Sequence, residues 1–225
     1  MSVIVPRSGS AAFLTILAAA LIVLVTVPPA AHPASSARVY RLRPDPRMCP
    51  APLCGGYFAS EVNRAQTTCA GGISSPVCHV LTVDTAAVLS TAQWAQLQRQ
   101  LSTDQVLVAG TLTTTEPSNG LPAEDSLIAS AVWRSTSARP SAKAVWLVAD
   151  TGVRCVTNPC FSLRATLVNG TPTARLSSLR GSRAAIPGRG LLAAGTIVRV
   201  PHAGPAGAGR ELVASRVWLP VIPAG

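Results

Sequence analysis

Alternation of apolar and polar residues, interrupted by turns rich in glycine, proline and asparagine, predicts a mainly β chain. In the segment 56–63, Tyr57 and Ala59 would lie on one side of a strand, with Phe58 and Val62 on the other. Further segments rich in β-branched and apolar residues also predict strands: 79–84, 105–115, 126–135, 142–150, 161–169, 191–200 and 210–221.

One helix is predicted among these strands, at about residues 90–102. Ser90 and Gln93 have the spacing of a capping box, in which each side chain accepts a hydrogen bond from the other residue's backbone. Trp94 and Leu97 then fall on one face of the helix.

Several short motifs recur at matching spacings and predict an internal duplication. An asparagine follows nine positions after the second cysteine of each Cys-x-x-x-x-Cys step, as Asn63 and Asn169. Ala-Ser-x-Val-Trp begins nineteen positions after Gly110 and again nineteen positions after Gly195. Two shared spacings and a shared five-residue signature indicate two copies of one unit.

The predicted fold is therefore mainly β with one helix, in two tandem, duplicated small β-barrel or sandwich modules. Residues 38–135 form the first module, and residues 136–225 form a second, shorter one without the helix. The order strand, strand, strand, helix, strand, strand is similar to that of oligonucleotide- or oligosaccharide-binding barrels, an analogy of fold that implies no function. Residues 38–135 and 142–221 are expected to superpose strand for strand.

Residues 1–37 have the layout of a secretory signal peptide. Arg7 precedes seventeen uncharged residues at 11–27, and a Pro-Pro pair and small residues follow. The alternative is an uncleaved membrane anchor, because seventeen residues lie at the lower limit for spanning a bilayer. Both interpretations place the rest of the chain outside the cytoplasm, as a secreted, periplasmic or otherwise extracytoplasmic protein.

Six cysteines in an oxidising compartment favour disulfides. Proline and asparagine within the Cys-x-x-x-x-Cys steps favour turns that would bring each pair of cysteines together. We predict three local bridges: Cys49–Cys54, Cys69–Cys78 and Cys155–Cys160. The alternative is a zinc site made by the first four cysteines, with His79. Their gaps of four and eight residues depart from the two to four that are usual for zinc.

The chain is basic, with nineteen lysines and arginines against nine acidic residues. Four arginines lie in the acid-free stretch 174–190, namely Arg175, Arg180, Arg183 and Arg189. They predict contact with an anionic envelope polymer or an acidic protein, with a solvated loop as the alternative. Aromatic residues are 4% of the chain, too few for a nucleic-acid platform, so a nucleic-acid partner is not expected.

No catalytic residue, cofactor-binding residue or metal ligand is predicted. Nucleophile-elbow, dinucleotide and Walker signatures do not occur, and the nine carboxylates are scattered. The remaining candidates are given structural roles. Asp45 and Asp150 are expected to cap turns or to pair with Arg47 and Arg154. Asn63 and Asn169 are expected to end strands, and Trp133 and Trp218 to anchor one core each.

The first module resembles a bacterial family of predicted secreted, cysteine-containing domains of unknown function. The shared pattern starts Cys-x-x-x-x-Cys-Gly-Gly-Tyr, and the matching positions are Cys49, Cys54, Gly55, Gly56, Tyr57, Asn63, Cys69 and Cys78. The resemblance covers most of 38–135 and is fainter in the second module. It implies a secreted domain and no particular activity.

These observations predict a secreted, non-enzymatic binding or structural protein of the envelope or extracellular space, without a specific function. One alternative is an extracytoplasmic hydrolase with a site at the module interface, built on His79 or His202. Another is a secreted protease inhibitor that presents the loop 50–53.

Overall fold

Strands dominate the computed structural model, which describes residues 37–48, 54–115, 124–135, 137, 141–201 and 207–222. The strands found there are β1 (Arg38–Pro44), β2 (Tyr57–Glu61), β3 (Thr67–Thr68), β4 (Ser74–Ser75), β5 (Cys78–Val80), β6 (Thr82–Asp84), β7 (Val106–Thr115), β8 (Glu124–Arg134), β9 (Val145–Asp150), β10 (Leu163–Leu167), β11 (Thr173–Leu176), β12 (Ser178–Arg180), β13 (Leu191–Val200) and β14 (Gly209–Pro220). The helix α1 (Thr91–Gln98) and a 3-10 turn (Leu101–Thr103) lie between β6 and β7. The mainly β prediction is confirmed.

Twelve of the described strands form one sheet, in the order β11-β10-β9-β13-β14-β8-β7-β1-β2-β5, with β6 and β12 paired to β8 and β14. The ends of β8 and β14 pair with each other, Trp133 opposite Pro220 and Arg134 opposite Leu219. The strands up to β8, which we call the first half, and the strands from β9 onwards, the second half, therefore belong to one continuous sheet. This sheet is not closed into a barrel, which differs from the separate barrels or sandwiches expected from the sequence. Strands β3 and β4 form a small separate sheet.

The two halves of this sheet have the same order of strand pairing. In the first half β5-β2-β1-β7-β8 are neighbours and β6 is parallel to β8; in the second, β11-β10-β9-β13-β14 are neighbours and β12 is parallel to β14. Both long hairpins shift register just before a glycine, Gly110 in one and Gly195 in the other. A Cβ atom would lie 2.2 Å from the Ile128 carbonyl oxygen at the first position and 2.3 Å from that of Val213 at the second. Only glycine lets the strands approach so closely.

The helix begins with the predicted capping box. The Gln93 amide donates to Ser90 Oγ over 3.3 Å, and the Ser90 amide donates to Gln93 Oε1 over 2.9 Å. Trp94 and Leu97 are buried on the inner face of α1, and Leu101 continues this face into the 3-10 turn. The α-helix itself ends earlier than the predicted boundary.

The buried side chains form three clusters. One lies in the first half beneath α1, and another lies in the second half around Leu191 and Leu212. The third, which we call the junction core, contains side chains from both halves: Val62, Leu107, Ala109, Trp133, Val145, Val168, Leu192, Ala194 and Trp218. Both tryptophans therefore belong to one shared core, whereas the sequence suggested a separate anchor for each module.

Two of the three predicted disulfides are present, Cys69–Cys78 and Cys155–Cys160, each with its Cα atoms 5.5 Å apart. Cys54 is also disulfide-bonded, and Cys49, its predicted partner, lies outside the described residues. A zinc site that uses Cys69 and Cys78 is wrong, because their sulfurs are bonded to each other. Within the described ranges no group of histidine, cysteine and acidic side chains could hold a metal ion.

Removing the Cys155–Cys160 bridge by a double Cys→Ser substitution is expected to lower the free energy of unfolding by about 2 kcal/mol, because the closed loop is short. Amide exchange should accelerate mainly at residues 151–162. Urea denaturation and hydrogen exchange measure the two effects. Peptide mapping of the unreduced protein is the check on connectivity, since a Cys155 bond to Cys49 or Cys54 would contradict the local staple.

A second prediction concerns Tyr40, which is buried and faces Glu61 across the β1/β2 pair. Burial, and then the Glu61 carboxylate, raise the pKa of Tyr40 to about 12, and Arg38 partly opposes them. A tyrosine in the unfolded chain ionises near pH 10, so the stability that neutral Tyr40 contributes is complete below pH 10 and is lost towards pH 12. Absorbance titration of a Tyr57→Phe variant isolates the Tyr40 phenol, because the chain has two tyrosines. A midpoint near pH 10 in the folded protein would contradict this.

Residues 1–36 of the predicted leader, 1–37, lie outside the described residues. None of the helices in the described part of the chain is long and apolar enough to cross a membrane.

Candidate functional site at the junction of the two halves

Asn63 connects the first half to the backbone of the second. Its Nδ2 donates to the carbonyl oxygens of Val145, over 2.8 Å, and Val168, over 2.9 Å. Its Oδ1 accepts from the Val145 amide over 2.9 Å. One side chain thus makes three hydrogen bonds across the junction.

Asn169 makes the reciprocal contacts from the second half. Its Nδ2 donates to the carbonyl oxygens of Val39, over 2.7 Å, and Val62, over 3.0 Å, and its Oδ1 accepts from the Val39 amide over 2.9 Å. Asn169 and Asn63 have φ angles of 54° and 62°, a left-handed conformation that asparagine adopts more readily than most residues. Both do follow strands, as predicted, but their side chains join the halves.

The two tryptophans of the junction core differ in their polar contacts. Trp218 is 1% exposed, and its Nε1 donates to the Asp104 carbonyl oxygen over 3.1 Å. The Arg216 guanidinium lies 4.9 Å from the centre of the Trp218 ring. Trp133 is 8% exposed, and its Nε1 is buried without a hydrogen-bond partner among the described residues.

Two cavities flank this core. The first, which we call the mixed cavity, has a volume of about 410 Å³, and its lining includes the apolar Trp133, Leu147 and Leu192 as well as Arg38, Arg64 and Asn169. The second has a volume of about 660 Å³ and is lined by residues of both halves. We call it the cationic groove, after its charged lining residues Arg41, Arg43, Arg64, Lys143 and Asp104.

The charges of the cationic groove are unbalanced. Four basic side chains and one acidic side chain line it, which leaves a net charge of +3. Arg43 Nη2 lies 3.8 Å from Asp104 Oδ2, while no carboxylate of the described residues is within ion-pair distance of Arg41 or Lys143. Burial lowers the pKa of the Arg41 guanidinium, and the Asp104 carboxylate partly opposes this. Within the groove Arg41 is therefore partly desolvated, whereas Arg43 and Lys143 are exposed.

The four arginines predicted to contact an anion are not brought to one cavity. Arg183 lines a cavity of about 390 Å³, and Arg189 lines another of about 300 Å³. Arg180 pairs with Glu211, 2.8 Å away, and Arg175 lies 6.0 Å from the centre of the Phe161 ring. The segment 174–190 contains no acidic residue of its own, but in the folded chain Glu211 of β14 lies beside it.

The predicted pairing of Asp45 with Arg47 is confirmed, with N–O distances of 2.8–3.0 Å. The Arg47 hydrogen bonds lower the pKa of Asp45 to about 2. His79 Nε2 lies 2.7 Å from the Gly55 carbonyl oxygen and 3.3 Å from Asp45 Oδ2. Within the described part of the chain no serine hydroxyl is hydrogen-bonded to His79, and His202, the other candidate for a hydrolase, lies outside it.

The second predicted acid–base pair is also present, at the surface. Arg154 bonds both carboxylate oxygens of Asp150 over 3.0 Å, which lowers the pKa of Asp150. Both side chains are exposed, so the pair contributes little stability.

A family model described as Domain of unknown function (DUF6748) matches residues 38–224. The chain belongs to this family. The DUF6748 match begins at the first residue of β1 and spans both halves and the junction between them. Neither the search of curated proteins nor that of solved structures found a match. The expectation of a family of unknown function is confirmed, and DUF6748 supplies no activity to transfer.

Sequence reasoning did not select the residues of the cationic groove. One signal was available, because Arg41 and Arg43 alternate with the buried Tyr40 and Leu42 and therefore share the outer face of a strand. Lys143 lies about a hundred positions away and reaches the groove only through the fold.

Proposed function

We propose that this DUF6748 member is a secreted, non-enzymatic binding or structural protein of the bacterial envelope or extracellular space. Its partner carries negative charge, as an anionic envelope polymer or an acidic protein does. The cationic groove is the observation that supports this proposal, because it concentrates positive charge in a concave surface.

Export follows from the predicted leader at 1–37, either cleaved or retained as a membrane anchor. The two disulfides of the described residues fit an oxidising, extracytoplasmic compartment. We also propose that Cys49 is the disulfide partner of Cys54.

We further propose that the halves, 38–135 and 136–225, arose by duplication of one module. The shared order of strand pairing, the register shift before Gly110 and Gly195, and the reciprocal contacts of Asn63 and Asn169 support this. The helix α1 and the Cys69–Cys78 bridge then distinguish the first copy.

Retention of the purified protein by envelope fractions of the source organism tests the binding function. We expect retention at low ionic strength and release by salt, because the attraction is between charges. Heat-denatured protein is the control, since it keeps the net charge but loses the groove. Equal retention of folded and denatured protein, or none of either, would contradict a folded binding site.

A further inference from the structure

The cationic groove has the architecture of a built site, with walls from both halves. Arg41 and Arg43 lie two residues apart on one face of β1, opposite Ser60 and Phe58 of β2. Lys143 enters from the segment that leads into β9, so neither half makes the groove alone.

Asp104, which lines the groove, is the carboxylate nearest to three arginines, of which Arg41 and Arg43 line the groove and Arg216 lines a separate cavity. Asp104 interacts electrostatically with Arg41 and Arg216, and Arg43 lies 3.8 Å from it. Arg216 is 3% exposed and is further held by the Thr103 carbonyl oxygen, 3.2 Å from its Nη2. Asp104 can neutralise one of the two groove arginines. Arg43 is exposed, but Arg41 is partly buried, and a charge removed from water is stabilised by a partner of opposite sign. An anion bound in the groove would neutralise the remaining positive charge.

The fold does not require positive charge at these positions. Val39 and Val145 each meet the asparagine of the opposite half, which fixes the correspondence between β1 and β9. Counting from these valines, Leu147 corresponds to Arg41 and Ala149 to Arg43. Leu147 lines the mixed cavity. The same strand geometry thus forms with apolar side chains in the second half, so the two arginines are specific to the groove.

We propose that the cationic groove binds an oligoanion with two or more oxyanion groups, held by Arg41, Arg43 and Lys143. Arginine guanidinium groups match the geometry of phosphate and carboxylate oxygens, and the lysine adds a third positive contact. A volume of about 660 Å³ accommodates several such groups at once. This inference rests on the proposed binding function and names its site and ligand class.

Titration calorimetry of the purified, disulfide-bonded protein with tripolyphosphate, citrate and orthophosphate tests the inference. Tripolyphosphate or citrate should bind more tightly than orthophosphate, and whichever binds better identifies phosphate or carboxylate as the preferred group. The R41L and R43A variants carry the residues of the corresponding positions in β9. Each should weaken binding about tenfold, the size expected when a charge-assisted hydrogen bond is lost. Lys143→Met should also weaken binding. Because Lys143 is exposed, this change should leave the fold intact.

A double variant with Arg183→Ala and Arg189→Ala is the matched control, because it removes two exposed positive charges that line other cavities and lie outside the groove. Its affinity should stay within about twofold of the unmodified protein. The control is compared with the double variant R41L/R43A, which removes two positive charges from the groove. Equal weakening of binding by both double variants would show a diffuse charge effect and overturn the inference, as would no effect of either. If the groove variants still bind envelope fractions as the unmodified protein does, the proposed site is wrong, and the proposed binding function is kept. If the unmodified protein binds neither envelope fractions nor oligoanions, both proposals fail.

Discussion

Replacing Asn63 with alanine is expected to lower the free energy of unfolding by about 3–5 kcal/mol. The Val145 amide would lose its acceptor and the Val168 carbonyl oxygen its side-chain donor, and both residues are buried. Alanine would also be strained at a φ angle of 62°. Asn169→Ala should have a similar effect, because it removes the matching contacts to Val39 and Val62.

Asn63→Gly separates the two causes, since glycine adopts this φ angle without strain but makes no side-chain hydrogen bond. It should retain a loss of about 2–4 kcal/mol. Urea denaturation followed by tryptophan fluorescence measures both variants. An Asn63→Ala protein as stable as the unmodified one to within about 0.5 kcal/mol would show that the junction does not depend on these bonds.

Trp218→Phe is expected to cost about 2–4 kcal/mol, and Trp133→Phe about 1–2 kcal/mol. Both changes leave a similar space in the junction core. Only the first takes a hydrogen-bond donor from the Asp104 carbonyl oxygen and weakens the contact with Arg216. The Trp133 Nε1 has no such partner within the described ranges.

The pair of tryptophan variants serves as its own control, because residue type, core and volume change are the same. Chemical denaturation gives the two differences in unfolding free energy. Equal costs, or a larger cost at Trp133, would contradict the importance assigned to the Asp104 contact.

The long strands could be predicted because each shows an uninterrupted pattern over nine or more residues, as in 191–200, which matches β13. Local chemistry likewise fixed the start of α1, through Ser90 and Gln93. The first strand was not predicted, because Arg38, Arg41 and Arg43 leave only Tyr40 and Leu42 as an inward-facing apolar pair. Strands β11 and β12 are four and three residues long, too short for a periodic signal.

The site was less predictable than the fold because its contacts are distant in sequence. Asn63 bonds residues 82 and 105 positions away, and Asn169 bonds residues 107 and 130 positions away. No local pattern distinguishes such an asparagine from one that only ends a strand. The arginine-rich stretch 174–190 attracted attention because its charges are adjacent in sequence, whereas the groove collects single charges from separate segments.

The reciprocal asparagine contacts have a consequence for how the gene can change. A substitution at Asn63 removes hydrogen bonds to the backbone of the second half, and one at Asn169 removes hydrogen bonds to the backbone of the first. These contacts end on backbone groups, which persist when the side chains at positions 39, 62, 145 and 168 change, provided that the amides of residues 39 and 145 are not lost to proline. Across DUF6748, the two asparagines should therefore vary less than the four residues whose backbone they bond.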